Sequence, residues 1–427
     1  MNKPTYPPTE DMPDARAPYR VRVDFVIELA RRLHMYGTTA QRLEGAVTSV
    51  ARRIDVYCEV WSNPTGMILS FADFQRSHES SITRVIRLDP GDDHLGRLAR
   101  ADFIAEEVLA GRMHIPDGLE ALRAMDKPSP GWGRPLRVLC YGLASASVTG
   151  LLPRTGWWDM ATAALLGCFI GVLGQLSERR QNLQQAQDAI AAMVATFIAT
   201  AVASFWAPLS LQNVIVASLI VLMPGLTLTT AVSELAARQL ASGTARFADA
   251  MTTLMKLTFG AVAAAELAAL LGWSPLPNRG TLLPFWMPWL SLVAASFSFA
   301  VLFKASRRDV GVVMASVWLG YGVMRASQLI PGLSESNVPI GVFLAGLVVA
   351  AMGNLYGLMA NRPSALIRVP GIILLVPGSL GFRSFNLVFE HDVMIGLDTA
   401  VAVIAALIAL VAGILFGNLL MPTRRNI

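Results

Sequence analysis

The sequence predicts an α-helical polytopic membrane protein, with ten transmembrane helices set as two inverted five-helix repeats behind a small N-terminal α+β soluble domain. Three observations predict it. The 427 residues are 54% hydrophobic and only 15% charged, with a mean hydropathy of +0.50, far from the balance of a soluble chain of this length. Apolar segments of roughly spanning length can be read at 137–152, 157–177, 188–207, 211–233, 248–271, 282–303, 309–330, 338–360, 367–388 and 397–421. Landmarks of the middle of the chain then return 153 residues later. Leu222, Pro224 and Gly225 fall on Leu375, Pro377 and Gly378, while Gly243, Leu254, Leu257 and Gly260 fall on Gly396, Leu407, Leu410 and Gly413. A copied unit with an odd number of spans must enter the membrane upside down, and inverted repeats are a common build of secondary transporters.

Residues 1–20 hold prolines and acids where a signal peptide needs a basic patch and an apolar core, so they read as a disordered lead with no export signal. Residues 21–127 are expected to form the soluble domain, on the cytoplasmic side. Two amphipathic helices fill 21–54, with Gly37 ending the first and Thr38 or Thr39 capping the second. Strand-like runs DVYCEVW and GMILSFAD follow, separated by the turn signal of Ser62, Asn63, Pro64 and Thr65, then SSITRVIRL and helices near 93–111 and 116–125. Residues 128–136 are a stiff linker, and the two membrane repeats occupy 137–272 and 281–421.

The formal charge of +5 does not point to nucleic acid, because the surplus cations lie in short loops between spans. With the soluble domain inside, the inner loops carry Arg134, Arg137, Arg179, Arg180, Arg238, Arg246, Lys304, Arg307, Arg308, Arg362, Arg368, Arg424 and Arg425. The outer loops carry only Arg154, Arg279 and Arg383. This asymmetry puts both termini in the cytoplasm and favours a count of ten. Cys58, Cys140 and Cys168 are scattered, and His34, His78, His94 and His114 show no ligand spacing, so neither a metal nor another cofactor is expected.

Candidate site residues come from the interruptions. Pro224-Gly225 and Pro377-Gly378 sit near the middle of the fourth and ninth spans, where proline removes a backbone donor and glycine eases departure from the helix. Matched interruptions in two halves point to a substrate site. Thr227, Thr229 and Thr230 follow the first pair, and Ser379, Ser384 and Asn386 the second. Such groups can bond a polar solute or their own helix backbone. Among ionisable residues at depth, Glu266 is the first candidate to carry a coupling proton, with Glu234 and Asp398 nearer span ends, where solvation explains them. Lys256 and Arg325 are expected to snorkel or to pair with carboxylates.

One family is similar. A helix ending in Gly37, Arg42 and Glu44 on the next helix, and the Asn63-Pro64-Thr65-Gly66 turn between strands resemble the soluble domain of the threonine/serine exporter family. The resemblance runs from about residue 21 through both membrane units. It implies proton-driven export of small hydroxy amino acids from a bacterial inner membrane, with threonine or serine and protons as partners besides the bilayer. A homo-oligomer stays open, as do a channel, a dicarboxylate exporter, and a membrane-anchored enzyme or sensor that works through the soluble domain. No constellation in that domain supports catalysis. Arg42 and Glu44 lie two apart on a helix and cannot pair; they read as a solvated face, with contact to the following hairpin or to the membrane domain as the alternative.

Overall fold

The computed structural model describes residues 17–72, 81–126, 132–178, 180–276, 283–330, 339–389 and 392–422. Most of the lead, the first half of the linker, His78, Arg179, Arg279, Arg424 and Arg425 lie outside them.

The N-terminal α+β region, the part expected to be the soluble domain, contains α1 (Tyr19–Met35), α2 (Ala40–Arg53), β1 (Tyr57–Asn63), β2 (Gly66–Ala72), β3 (Ser81–Arg87), α3 (Leu95–Leu109) and α4 (Ile115–Ala124). In α1 the helical spacing of Phe25, Val26, Leu29 and Leu33 turns all four into the core, and in β2 the alternation of Met67, Leu69 and Phe71 does the same. The strands form an antiparallel sheet in the order β1-β2-β3. Asn63 pairs with Gly66 across a two-residue turn, where the Asn63 carboxamide oxygen accepts from the Thr65 amide at 2.9 Å. Gly37 ends the first helix at φ +83°, a left-handed conformation that a side chain would strain. The buried Arg32 guanidinium pairs with Glu28 and Asp126, fastening α1 to the end of α4.

The rest is helical: α5 (Arg134–Leu151), α6 (Trp157–Ser177), α7 (Gln181–Phe205), α8 (Leu211–Ser218), α9 (Gly225–Ala236), α10 (Leu240–Leu270), α11 (Met287–Leu302), α12 (Val310–Ser327), α13 (Ile340–Ala360), α14 (Ala365–Ile372), α15 (Gly378–Phe389) and α16 (Val393–Leu420). Among the described residues, six helices are long and apolar enough to cross a membrane: α6, α7, α10, α12, α13 and α16. The shorter α11 is also apolar. The chain is thus a multi-pass membrane protein with an N-terminal α+β region. The expected fourth and ninth spans are each two short helices, α8 with α9 and α14 with α15, separated by unwound residues 219–224 and 373–377. Helices α7 and α10 start earlier than the apolar segments, because backbone hydrogen bonding continues through polar turns that hydropathy does not register. Starts recur at the offset seen in the sequence: α5 and α11, α6 and α12, α9 and α15, and α10 and α16 each begin 153 residues apart.

The soluble domain packs directly on these helices. The Leu95 and Gly96 amides, at the start of α3, donate to the Phe303 and Lys304 carbonyls at 3.0 and 3.1 Å, so orphan groups of two helix ends satisfy one another. The Trp132 indole donates to the Ala305 carbonyl at 2.9 Å. Ala300, Ala305, Val313, Ala365 and Leu366 belong to the same apolar cluster as the core of the soluble domain.

Candidate functional site

The two interruptions meet. A Cβ on Gly225 would lie 2.4 Å from Val376 Cγ1 and 3.3 Å from the Gly378 backbone, and a Cβ on Gly378 would lie 3.1 Å from the Gly225 backbone. Glycine at both positions suits that approach, so α9 and α15 begin back to back with their positive dipole ends side by side, the Gly225 amide donating to the Met223 carbonyl at 2.8 Å. The contact is too close to hold a solute between the glycines. Nearby hydroxyls serve their own surroundings: Thr229 donates to the Gly225 carbonyl at 3.1 Å and Ser384 to the Gly396 carbonyl at 2.8 Å. Thr227, Ser379 and Asn386 are half-buried and lie outside the cavity described next.

That cavity, of about 360 Å³, lies between the soluble domain and α9, α14 and α16. Its volume falls within the range of small-ligand sites. One face of α9 lines it with Leu226, Thr229, Thr230, Ser233 and Glu234, since residues at helical spacing share a side. Arg368 and Ile372 come from α14 and Asn418 from α16. The soluble domain supplies Gly37, Thr38, Arg42, Asp93 and Asp102.

The walls are joined by specific bonds, and here two expectations fail. Glu234 is not solvated at a span end. It is only 2% exposed and accepts from the Ala40 amide at 2.9 Å and the Ser242 hydroxyl at 2.7 Å, while Arg246 pairs with it at 3.2 Å. It thereby does the work expected of Thr38 or Thr39, since Thr39 precedes α2 without a side-chain capping bond. Nor do Arg42 and Glu44 form a solvated face. Arg42 donates to Ser364 Oγ at 2.6 Å, and Glu44 accepts from the Ser62 amide at 2.8 Å and from Gln239 Nε2 at 2.7 Å. Two positions apart on α2, they reach different partners: Arg42 the start of α14, Glu44 the hairpin and the turn before α10.

Burial governs the electrostatics on the soluble-domain side. It pushes the Asp93 carboxyl up to about 6, against the pull of the Arg246 and Arg368 cations and helped by the neighbouring Asp92 charge. It also raises Glu44, against the hydrogen bonds from Ser62 and Gln239, and lowers the Arg42 guanidinium, against the attraction of Asp102.

The other charged candidates lie elsewhere. Glu266 is exposed on the outer surface of α10, so the burial expected of it is not found; its neighbours Ala264 and Ala268 take the inward face instead. Asp398 is exposed on α16. Lys256 pairs with Asp188 at 3.6 Å, and Arg325, exposed, bonds Gln328. Sequence reasoning missed Asp93, Asp102, Ser233 and Asn418 and took Arg368 for a loop charge. For Arg368 a signal existed, because an arginine inside ALIRVPGIILL is a cation in an apolar run beside an interrupted span.

Comparison with known proteins agrees with this architecture. Residues 24–268 match the family described as "Putative threonine/serine exporter", and residues 289–420 the one described as "Threonine/Serine exporter, ThrE". Similar curated proteins include an uncharacterised protein of Schizosaccharomyces pombe and pheromone-regulated membrane protein 10 of Eremothecium gossypii. Each is 24% identical to this chain over 84% of its length and 48% of the relative's. Pheromone-regulated membrane protein 10 of Candida albicans is 24% identical over 89% of this chain and 34% of its own. The chain thus spans about half the length, or less, of the curated relatives it matches. No solved structure matches it.

Proposed function

The chain belongs to the threonine/serine exporter family, and from that premise we propose that it is a proton-coupled secondary transporter that carries threonine or serine out of the cytoplasm. The observation that carries this reading is the meeting of two interrupted helices at Gly225 and Gly378, whose starts lie 153 residues apart. Interrupted helices at depth are tolerated where protein buries them or a watery cavity adjoins them, and the cavity under the soluble domain reaches Leu226 and Ile372 next to these breaks. Counting α8 with α9 and α14 with α15 as single crossings gives ten. The second set of five is then inverted relative to the first, with both termini and the soluble domain in the cytoplasm of a bacterial inner membrane. The bonds from the soluble domain to Glu234, Gln239, Phe303, Lys304 and Ser364 agree with that count, because these partners all fall at helix ends that ten crossings put on one side. Alternating access then consists of rocking the two units about the glycine contact. Glu234, which joins the soluble domain to α9 and α10, replaces Glu266 as the carboxylate we assign to coupling.

The test is transport by the purified full chain in liposomes under an imposed pH gradient, with labelled threonine, labelled serine and a labelled dicarboxylate. Accumulation of the hydroxy amino acids that collapses with an uncoupler supports the reading. Equilibration without accumulation would make the protein a channel, and accumulation of the dicarboxylate alone would make it a different exporter.

A further inference from the structure

Arg368 and Asp93 line the same cavity from opposite bodies of the protein. Arg368 belongs to α14 in the membrane core, Asp93 to the turn that leads into α3 of the soluble domain. Asp93 feels the Arg246 and Arg368 cations, and Arg368 feels the Arg42 cation and the Asp93 carboxylate, yet neither Asp93 nor Arg368 makes a hydrogen bond or an ion pair among the described residues. The other charges around the cavity are engaged: Arg42 holds Ser364, Glu234 holds Ala40, Ser242 and Arg246, and Asp102 has a partner of its own. A half-buried cation and a half-buried anion facing one space without contact are costly unless something bridges them.

We infer that this space binds a zwitterionic α-amino acid, its carboxylate on the Arg368 guanidinium and its ammonium on the Asp93 carboxylate. A guanidinium offers a planar pair of donors to a carboxylate, and a carboxylate accepts from an ammonium. A ligand that lacks one of the two opposite charges leaves one wall unpaired. A dicarboxylate gives Asp93 a like charge, and an amino alcohol gives Arg368 nothing to hold. The Thr230 and Ser233 hydroxyls face the same cavity from α9 and make no hydrogen bond among the described residues, so a β-hydroxyl on the ligand has partners there. The inference deepens the exporter reading and rests on it for the choice of threonine and serine. It also gives the soluble domain a part in substrate recognition, because the ammonium half of the site is absent from the membrane core.

The experiment is equilibrium binding to the purified full chain in lipid nanodiscs, using labelled threonine and serine and then the other standard α-amino acids. Threoninol, which lacks the carboxylate, and 3-hydroxybutyrate, which lacks the amine, serve as competitors. Neither should displace bound threonine from the wild type at concentrations where serine does. Arg368→Gln should weaken threonine about tenfold to a hundredfold and bring it level with threoninol, and Asp93→Asn should do so by a similar factor and bring it level with 3-hydroxybutyrate. Arg368→Lys and Asp93→Glu, which keep the charges, should recover part of the loss and guard against misfolding as the explanation. Threonine binding within about twofold of wild type in both neutral variants overturns the assignment, as does a wild type that binds no α-amino acid. If threonine and serine fail but another α-amino acid binds with the same dependence on Arg368 and Asp93, the site stands and the substrate named in the exporter reading falls.

Discussion

Glu234 provides the sharpest perturbation, because one carboxylate holds three elements. Its partners are the Ala40 amide at the start of α2, Ser242 on α10 and Arg246 on α10. Glu234→Gln keeps a carbonyl that can still accept from Ala40 but removes the charge. What is lost is the ion pair with Arg246 and the charge-assisted part of the other two bonds. Arg246 and Ser242 lie on α10, so those losses fall within the membrane helices; only the bond to Ala40 crosses to the soluble domain, and weakening it from charge-assisted to neutral costs about 1 kcal/mol. That is about fivefold in the equilibrium between docked and undocked soluble domain. Hydrogen–deuterium exchange of the full chain in nanodiscs reads it directly. The amides from Ala40 to Glu44 should exchange up to about fivefold faster in Glu234→Gln, and about tenfold or more faster in Glu234→Ala, which leaves the Ala40 amide without its acceptor, while those of β2 stay protected by their ladder. If exchange at the start of α2 stays within about twofold of wild type in both variants, Glu234 does not hold the domain and its assignment to coupling loses its structural basis.

Other outcomes follow from the same geometry. Gly225→Ala and Gly378→Ala each place a Cβ against the opposite break and should abolish transport while leaving the protein inserted, at an overpacking cost of about 1–3 kcal/mol. Transport surviving both would reduce the contact to packing. Glu266→Gln should leave gradient-driven transport near wild type, because that side chain is exposed on the outside of α10; loss of accumulation there would return Glu266 to the mechanism. Threonine binding should weaken as the pH falls through about 6, where Asp93 takes up a proton and can no longer offset an ammonium. The charges acting on it are Arg246, Asp92 and Arg368, and Asp102, Glu234 and Arg42 line the same cavity. Asp93→Asn isolates its contribution, and an unchanged pH profile in that variant would assign the dependence to one of those neighbours.

The helices were legible in the sequence because lipid imposes a length and composition that hydropathy reads, and the breaks because Pro224-Gly225 and Pro377-Gly378 recur at the repeat offset, whereas Pro370-Gly371 stays within α14. The sheet was legible because the Asn63–Gly66 turn has only one way to close. What could not be read was the docking of one part on the other. Arg42 and Glu44 look solvated on a helical wheel, and only the tertiary fold brings Ser364 and Gln239 to them, 322 and 195 residues away. Glu234 and Glu266 were ranked by depth along a span, which carries no information on which way a helix faces. Rotation about the helix axis decided both: α9 turns Glu234 into the interface, and α10 turns Glu266 out.

The central claim is that the two membrane units are inverted copies, and Arg154 and Arg307 test it most directly. They occupy equivalent positions, 153 residues apart, and both are exposed in the loops joining α5 to α6 and α11 to α12. In a background lacking Cys58, Cys140 and Cys168, Arg154→Cys should react with an impermeant thiol reagent in intact cells. Arg307→Cys should react only after the membrane is opened. Labelling of both positions from the same side would make the repeat parallel, and the rocking of inverted units about Gly225 and Gly378 would fall with it.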